Sequence, residues 1–226
     1  MILVIRGHIR NSFETKKLID FIKMIYELNQ DLKIYIHTWN IIANNISWRK
    51  IQVNETIVTE DTIYDYFGDL KHLIKHIIID DDSKIQLIGK TDGRINGVMP
   101  LIGWKNYWYS KYQIINYLYD QNINSNEPIV NFRFDIFSNS NNFNMDVLIS
   151  FIKNNENNDF TKNKFLFDDA NHCGIDNIYM GNIITLHKLV KHFFYNLDDI
   201  LKNPKNMIYH QEFLVFMLND ELFTSL

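Results

Sequence analysis

The segment Ile129–Phe137, with the sequence IVNFRFDIF, most constrains the fold of this chain. Read as a β-strand, it alternates apolar and polar side chains, because successive side chains point to opposite faces of a strand. Its apolar face consists of Val130, Phe132, Phe134 and Ile136. Its polar face consists of Asn131, Arg133 and Asp135. An open α/β sheet explains a cation and a carboxylate near a strand end, because ligands bind beyond the carboxyl ends of its strands. The segment therefore predicts a polar ligand, with an anion favoured over a metal.

Composition and charge limit the class of protein. The chain has 226 residues, of which 46% are hydrophobic, which suits one α/β domain over residues 1–226, or one domain with a short C-terminal extension. A net charge of −4 gives no general attraction to nucleic acid or anionic membranes. The single cysteine, Cys173, excludes an internal disulfide and a CxxC or zinc framework. The run Met1–Arg6 is too short for a signal peptide or a membrane span, so we expect a soluble cytoplasmic protein.

The hydrophobic pattern alternates strands with helices. Besides the segment above, strands are predicted at Ile2–Ile5, Lys33–Thr38, Val53–Val58, Ile77–Ile79 and Lys164–Phe167. Helices are predicted at Asn11–Leu28, Tyr64–His76, Trp104–Tyr119, Met145–Lys153, Ile183–Leu201 and Tyr209–Leu222. The loop-rich stretch Gly89–Gly103 could form a flexible lid. The alternation predicts an α/β fold with a mostly parallel central sheet flanked by helices.

Polar side chains recur where the predicted strands end. The four places are Gly7–Arg10, His37–Asn40, Arg133 with Asp135, and Asp168 with Asp169. Because the carboxyl ends of parallel strands share one edge of a sheet, we expect these groups to converge there. His8 and His37 are interpreted either as site residues or as hydrogen-bonded core histidines. The acidic run Asp80–Asp82 is interpreted as a solvated turn, because adjacent carboxylates on a regular strand cannot all reach one ion.

The loop after the first strand is a candidate anion site. The amides at the start of the following helix favour an anion, and Gly7 permits close approach. Arg10 could add a bidentate phosphate contact, and a solvated surface position is the alternative. Neither GxGxxG nor GxxxxGKS occurs in the chain, so the usual dinucleotide and P-loop sites are excluded.

Asp135 stands where a carboxylate could bind a divalent cation that holds a diphosphate. Arg133 could lower the pKa of Asp135 or reach a phosphate itself, and a purely structural Arg–Asp pair is the alternative. On the predicted helix Trp104–Tyr119, Lys105, Tyr109 and Gln113 share one face and could line a diphosphate or sugar site.

Short motifs spread over most of the chain carry a resemblance to a known family. They are Ile5–Arg10, His37–Trp39, Trp108–Gln113, Phe132–Asp135, Asp176–Gly181 and Gln211–Leu214. In this order they resemble small GT-A-like glycosyltransferases (the nucleotide-diphospho-sugar transferase fold) of bacterial polysaccharide gene clusters and giant DNA viruses. One departure concerns the metal: Phe132–Asp135 offers one acid where the family's Asp-x-Asp motif offers two, and Arg133 could take over part of the cation's role.

The resemblance implies transfer of a sugar from a nucleotide-sugar donor, such as a UDP-sugar, to a hydroxyl of a glycan or other acceptor. The implied cofactor is Mn²⁺ or Mg²⁺, with Asp135 as its ligand and Asp168 as an alternative helper. The implied donor-binding residues are Gly7, His8, Arg10, Thr38, Trp39, Lys105, Lys111, Gln113, Arg133 and Tyr179. For an inverting enzyme, the implied catalytic base is Asp176, with Asp169 as the second choice.

Two rival functions remain open. One is a catalytically silent protein of the same fold that binds a carbohydrate or a nucleotide-sugar. The other is a sugar nucleotidyltransferase, which would need a glycine-rich phosphate loop and a basic signature that the chain lacks. We expect no nucleic-acid partner and no membrane span, and a homo-oligomer stays open. If the chain is viral, the expected compartment is the host cytoplasm.

Overall fold

The computed structural model describes residues 1–47, 51–95, 99–138, 143–169, 172–207 and 210–224. The strands are β1 (Ile2–Arg6), β2 (Lys33–Trp39), β3 (Ile41–Ala43), β4 (Asn54–Ile57), β5 (Ile74–Asp80), β6 (Arg94–Ile95), β7 (Met99–Pro100), β8 (Ile129–Arg133), β9 (Lys164–Asp168) and β10 (Cys173–Gly181). The helices are α1 (Lys17–Leu28), α2 (Glu60–Phe67), α3 (Leu101–Asp120), α4 (Met145–Asn155), α5 (Ile183–Lys202), α6 (Pro204–Met207) and α7 (Gln211–Thr224). Short 3₁₀ helices span Ser12–Glu14, Gly68–Leu73 and Phe134–Phe137.

Six strands form the central sheet in the order β5-β2-β1-β8-β10-β9. The strands β5, β2, β1 and β8 run parallel to one another, and β10 runs antiparallel to both β8 and β9. The expected α/β fold with a mostly parallel central sheet is therefore confirmed. The carboxyl ends of β1, β2, β5 and β8 meet at one edge of the sheet, where the polar motifs lie.

Helices cover both faces of the sheet and bury two apolar cores. One core joins Leu3 and Ile5 of β1 to α1, α2 and α4. The other joins Ile2 and Val4 of the same strand to α3, α5 and α7. Val130, Phe132, Phe134 and Ile136 all lie in the first core, as predicted. The predicted strand is too long, because β8 ends at Arg133 and the residues Phe134–Phe137 form a 3₁₀ helix.

Several predicted elements differ from the structure. The helix predicted at Tyr64–His76 is wrong, because α2 ends at Phe67, Gly68 takes a positive φ of 54°, and β5 begins at Ile74. The strand predicted at Val53–Val58 becomes β4, which pairs with β3 outside the central sheet. In the predicted lid, β6 pairs with β7 and α3 begins at Leu101, while residues 96–98 lie outside the described residues. The predicted helix start at Tyr209 also lies outside them, and α7 begins at Gln211.

The strand β10 was not predicted, although all nine of its residues are buried. Ile175 pairs with Leu166, but Tyr179 already pairs with Phe165, so β10 carries extra residues against β9. This bulge contains the polar pair Asp176 and Asn177, which breaks the apolar pattern expected of a buried strand. Within the described residues, no helix is long and apolar enough to cross a membrane.

The end of β10 is packed too tightly to accept a larger side chain than glycine. A Cβ at Gly181 would lie 2.6 Å from Thr185 Oγ1 and closer still to Asn163 Oδ1. Because overpacking a buried site costs about 1–3 kcal/mol, we expect Gly181→Ala to lower the free energy of unfolding in urea by that amount. Gly103→Ala in α3 is the control, since its Cβ would first meet Ile46 at 3.4 Å and alanine favours a helix. Equal stability of Gly181→Ala and wild type would contradict this packing.

Candidate active site

A pocket opens at the carboxyl edge of the parallel strands, between the sheet and α3. Five of the predicted donor-binding residues line it: Gly7, His8, Arg10, Trp39 and Arg133. Sequence reasoning missed other lining residues, among them Arg6, Asn44, Asn106, Tyr107, Ser110 and Gln211. The expected convergence of the β1 loop, the end of β2 and the end of β8 is therefore found.

Arg6 is a buried cation at the end of β1, with 1% of its surface exposed. It points toward α3, because Ile2, Val4 and Arg6 share one face of the strand. Its Nε donates to Asn131 Oδ1 at 3.0 Å, and its Nη2 donates to Tyr107 Oη and to the backbone oxygen of Asp176, both at 3.2 Å. These three acceptors are neutral, so they fix the guanidinium without cancelling its charge.

Asp135 is held between two arginines. The 3₁₀ turn Phe134–Phe137 folds the carboxylate back over its own strand, where Arg133 donates to both oxygens at 2.7 Å. Arg10 Nη1 adds a third bond at 2.5 Å, and the Arg10 backbone has a positive φ of 54°. Burial disfavours the charge of Arg133, but the attraction of Asp135 outweighs it and raises the arginine's pKa. The structural Arg–Asp pair that the sequence left open as an alternative is therefore present between Arg133 and Asp135, and Arg10 joins it as a second arginine.

The surroundings of Asp135 do not fit a divalent cation. Both of its oxygens already accept hydrogen bonds from guanidinium groups, and these cations would repel a metal ion. In the described part of the chain, the group with metal-ligand spacing is Cys173, His210 and Glu212, whose ligand atoms lie within 4.8 Å of one another. This group does not include Asp135 or Asp168. Metal binding by Asp135 stays a prediction.

The expectation that backbone amides after β1 bind an anion is not supported. The N–H of Gly7 donates to the backbone oxygen of His37 at 3.0 Å. The element that follows is a 3₁₀ turn, and α1 begins only at Lys17. Gly7 is still needed at its position, because its φ of 91° favours glycine. Positive charge at the pocket therefore comes from side chains.

The two predicted bases lie in different surroundings. Asp176 sits in the β10 bulge with 2% exposure, and its Oδ2 accepts from Gln211 Nε2 at 2.5 Å. Since Gln211 lines the pocket, one side chain separates Asp176 from it. Asp169 is exposed in the turn after β9 and is not a lining residue. Their roles as bases stay predictions.

Two predicted lysines are engaged away from the pocket wall. Lys105 pairs with Asp198 of α5 at 2.6 Å and donates to the backbone oxygen of Ile88. Lys111 is fully buried beneath the pocket, with its Nζ 3.9 Å from the centre of the Tyr107 ring and 4.1 Å from that of Trp108. Burial lowers the pKa of Lys111 well below its ordinary value. Neither lysine lines the pocket.

The remaining predicted donor residues act at a distance from the pocket or in the core. Thr38 Oγ1 donates to the backbone oxygen of Gly7 at 3.0 Å and so supports the loop. Tyr179 is fully buried and stacks on Phe165 with ring centres 4.9 Å apart. Gln113 is half-buried on α3 and is not a lining residue.

His37 belongs to a hydrogen-bonded chain that sequence reasoning missed. Its Nδ1 lies 2.8 Å from Ser110 Oγ, and its Nε2 lies 3.1 Å from Asp80 Oδ2. The interpretation of Asp80 as part of a solvated turn is therefore wrong, since Asp80 is anchored to a buried histidine. Helical spacing in the sequence could have indicated that Ser110 lies at the pocket, because Gly103, Tyr107 and Ser110 share one face of α3.

Comparisons with known proteins add little to this geometry. No protein-family model and no curated protein matches the chain. Among solved structures, an active-site mutant of the glycosyltransferase LgtC is similar over 99% of this chain and 70% of that chain, with 9% identity and a TM-score of 0.42. At that level of likeness neither a substrate nor a mechanism carries over to this chain.

Removing the carboxylate of Asp135 should destabilise the protein. In Asp135→Asn, the guanidinium groups of Arg10 and Arg133 would stay close together without a counter-charge. Breaking a buried ion pair from one side costs about 3–5 kcal/mol, and we expect a loss of about 3 kcal/mol in urea unfolding, because both arginines are about one-fifth exposed. Asp146→Asn, at an exposed site in the first turn of α4, should cost less than about 1 kcal/mol. Equal losses of unfolding free energy for the two variants would contradict the stabilising role of Asp135 between the two arginines.

His8 should make the protein acid-sensitive. Burial, and then the charge of Arg10, lower the pKa of His8 to about 3. Below the unfolded-state pKa of about 6.5, His8 is protonated in the unfolded chain but stays neutral in the native state. The free energy of unfolding therefore falls as the pH falls. From pH 6.5 to 5, this one group should cost about 1.6 kcal/mol.

The check is urea unfolding at several pH values between 5 and 6.5. His8→Gln should make the pH dependence shallower than in wild type, whereas His72→Gln, at an exposed position, should leave it unchanged. Identical slopes for wild type and His8→Gln would rule out the assigned cause.

Proposed function

We propose that the chain is a nucleotide-sugar-dependent glycosyltransferase whose donor diphosphate binds in the pocket at the carboxyl edge of the sheet. One observation carries the proposal: Arg6, Arg10 and Arg133 converge there, and Asp135 is the carboxylate set among them. The cluster keeps a net positive charge. It lies at the edge where open α/β sheets bind their ligands.

Such a cluster suits the charge that sugar transfer develops. The leaving nucleoside diphosphate gains negative charge as the glycosidic bond to it breaks, and fixed cations stabilise that charge without reorganising. Guanidinium groups bind phosphate oxygens in a bidentate manner and stay charged when buried. Arg6 is held in advance by three neutral acceptors, so it is oriented before a ligand arrives.

The rest of the pocket suits a base and a sugar. Trp39 stacks on Tyr109 with ring centres 5.9 Å apart and gives the pocket an aromatic wall. Amide side chains, which can bind hydroxyl groups through donor and acceptor atoms, come from Asn44, Asn106 and Gln211. The proposed donor is a nucleotide-sugar such as a UDP-sugar, and the acceptor is a hydroxyl of a glycan or another molecule. Asp176, which contacts Gln211, is a candidate base.

A silent binding protein of the same fold is the second candidate. Its supporting observation is that the carboxylate at the place of the family's metal motif is fully engaged by arginines. A protein that had lost catalysis could keep such a pocket for a sugar or a nucleotide-sugar.

The test is a thermal-shift panel of UDP-, GDP-, CMP- and dTDP-sugars with and without Mn²⁺. A ligand that binds only the folded state at 100 times its Kd stabilises it by about 2.7 kcal/mol. We expect one nucleotide family to raise the Tm, and the rise to persist without Mn²⁺, because the arginines supply the positive charge. Arg133→Met should abolish the shift, whereas Lys202→Met, at the exposed end of α5, should not alter it.

The panel also separates the transferase from a silent protein that binds free sugars only. If every nucleotide-sugar leaves the Tm unchanged while a free glycan raises it, the transferase proposal fails in favour of the sugar binder. A shift that appears only with Mn²⁺ would instead restore Asp135 as a metal ligand.

A further inference from the structure

A chain of three hydrogen-bonded side chains leads from the pocket to the protein surface. It starts at Ser110, which lines the pocket and is 2% exposed. It passes through His37, which has no exposed surface, and ends at Asp80, whose side chain is 27% exposed. The links measure 2.8 Å and 3.1 Å, both within hydrogen-bonding range. The three residues come from α3, β2 and β5, so the tertiary fold assembles the chain.

Asp80 decides which nitrogen of His37 carries the proton. A carboxylate only accepts hydrogen bonds, so the contact with Asp80 requires the proton on Nε2. The hydrogen bond from His37 holds the pKa of Asp80 below its usual range, which keeps the carboxylate ionised. Nδ1 is then unprotonated and faces Ser110. Burial lowers the pKa of His37, so the ring is neutral and able to accept a proton.

The tautomer of His37 in turn orients Ser110. Because Nδ1 can only accept, the hydroxyl proton of Ser110 must point at the histidine. The lone pairs of the Ser110 oxygen are left for the pocket. A hydroxyl group of a bound molecule can therefore donate to Ser110 while Ser110 donates to His37. This is the arrangement of a hydroxyl, a base and an orienting carboxylate that activates hydroxyl groups in unrelated enzymes.

We propose that His37 is the general base for the acceptor hydroxyl and that Ser110 carries the proton to it. The role rests on the transferase function proposed above, and it moves the base from Asp176 to His37. As the acceptor oxygen bonds to the anomeric carbon, its proton passes to Ser110 Oγ, and the proton of Ser110 passes to His37 Nδ1. The bond from that carbon to the diphosphate breaks, and the electron pair leaves with the diphosphate. Asp80 stabilises the imidazolium that forms, and the proton is later lost to solvent.

The first test reads the tautomer directly. A long-range ¹H–¹⁵N spectrum of the histidine rings at pH 7 should show His37 protonated on Nε2 only. In Asp80→Asn, the side-chain amide can donate to Nε2 and should move the proton to Nδ1, which turns the base away from its task. Wild type with its proton on Nδ1 would overturn the relay without any variant being needed.

The second test measures turnover as release of nucleoside diphosphate from the donor that the thermal-shift panel identifies. General bases contribute about 10²–10⁴ in rate, so Asp80→Asn and Ser110→Ala should each lower kcat at least about 100-fold. Their thermal shift with the donor should stay as in wild type. Ser110→Thr keeps the hydroxyl and should keep most of the activity. Asp81→Asn, in the neighbouring turn where Asp81 pairs with Lys84, is the matched control and should be fully active.

The pH profile separates a base from a merely structural link. Wild-type kcat should fall as the pH drops through the pKa of His37, and Asp80→Asn should change that dependence. If the hydrogen bonds were purely structural, Asp80→Asn would change only the stability of the protein. If Asp80→Asn and Ser110→Ala bind donor and keep kcat within about twofold of wild type, the relay is wrong and the donor site stands. If wild type binds no nucleotide-sugar, the proposed function fails, and the relay's role in it fails too, whichever tautomer His37 adopts.

Discussion

The register of β1 against β8 creates an electrostatic problem that shapes this end of the molecule. Arg6 pairs directly with Arg133 across the two parallel strands, so two guanidinium groups leave the same face of the sheet side by side. Like charges at paired positions repel, and burial strengthens the repulsion. Asp135 can offset this repulsion with its negative charge because the chain leaves the strand after Arg133 and turns back in a 3₁₀ helix. A regular strand through Phe137 would have carried the carboxylate away along the strand direction. The turn can thus be understood as a consequence of charge placement.

The negative charge of Asp135 does not neutralise all the nearby arginines, so the pocket keeps an excess of positive charge. Asp135 satisfies Arg133 and Arg10, while Arg6 is left to an amide, a phenol and a backbone carbonyl. Holding a buried cation with neutral groups costs stability, since desolvation is only partly offset. An anion in the pocket would supply the missing charge. The excess of cations also explains why a divalent metal suits Asp135 poorly.

Sequence reasoning succeeded where a residue's position follows from its own strand. Apolar runs located the four parallel strands β1, β2, β5 and β8, and the sheet brought their carboxyl ends together, so Gly7, Arg10, Trp39 and Arg133 could be assigned to one edge. It was less successful with α3. Lys111 and Ser110 are neighbours in sequence, yet one turns into an aromatic core and the other into the pocket. The rotation of that helix about its axis is set by packing against the sheet and α5, which no local pattern reveals. Arg6 and Asp80 were missed for a similar reason, because their partners lie on other elements.

The helix α3 couples the two halves of the proposed chemistry. Tyr107 Oη accepts from Arg6 and donates to the backbone oxygen of Asp176 at 2.7 Å, which ties the cation to the β10 bulge. One turn further along, Ser110 meets His37. A shift of α3 would therefore loosen the proposed phosphate-binding arginine and the proposed proton acceptor together. The buried Lys111 lies between these contacts and the second core, where its ammonium group faces aromatic rings. Such close packing leaves α3 little freedom to slide, because protein interiors are densely packed and have low compressibility. The positions of the arginine and the serine are thus determined together, which is what a reaction needs when its leaving group and its incoming hydroxyl must be stabilised at the same moment.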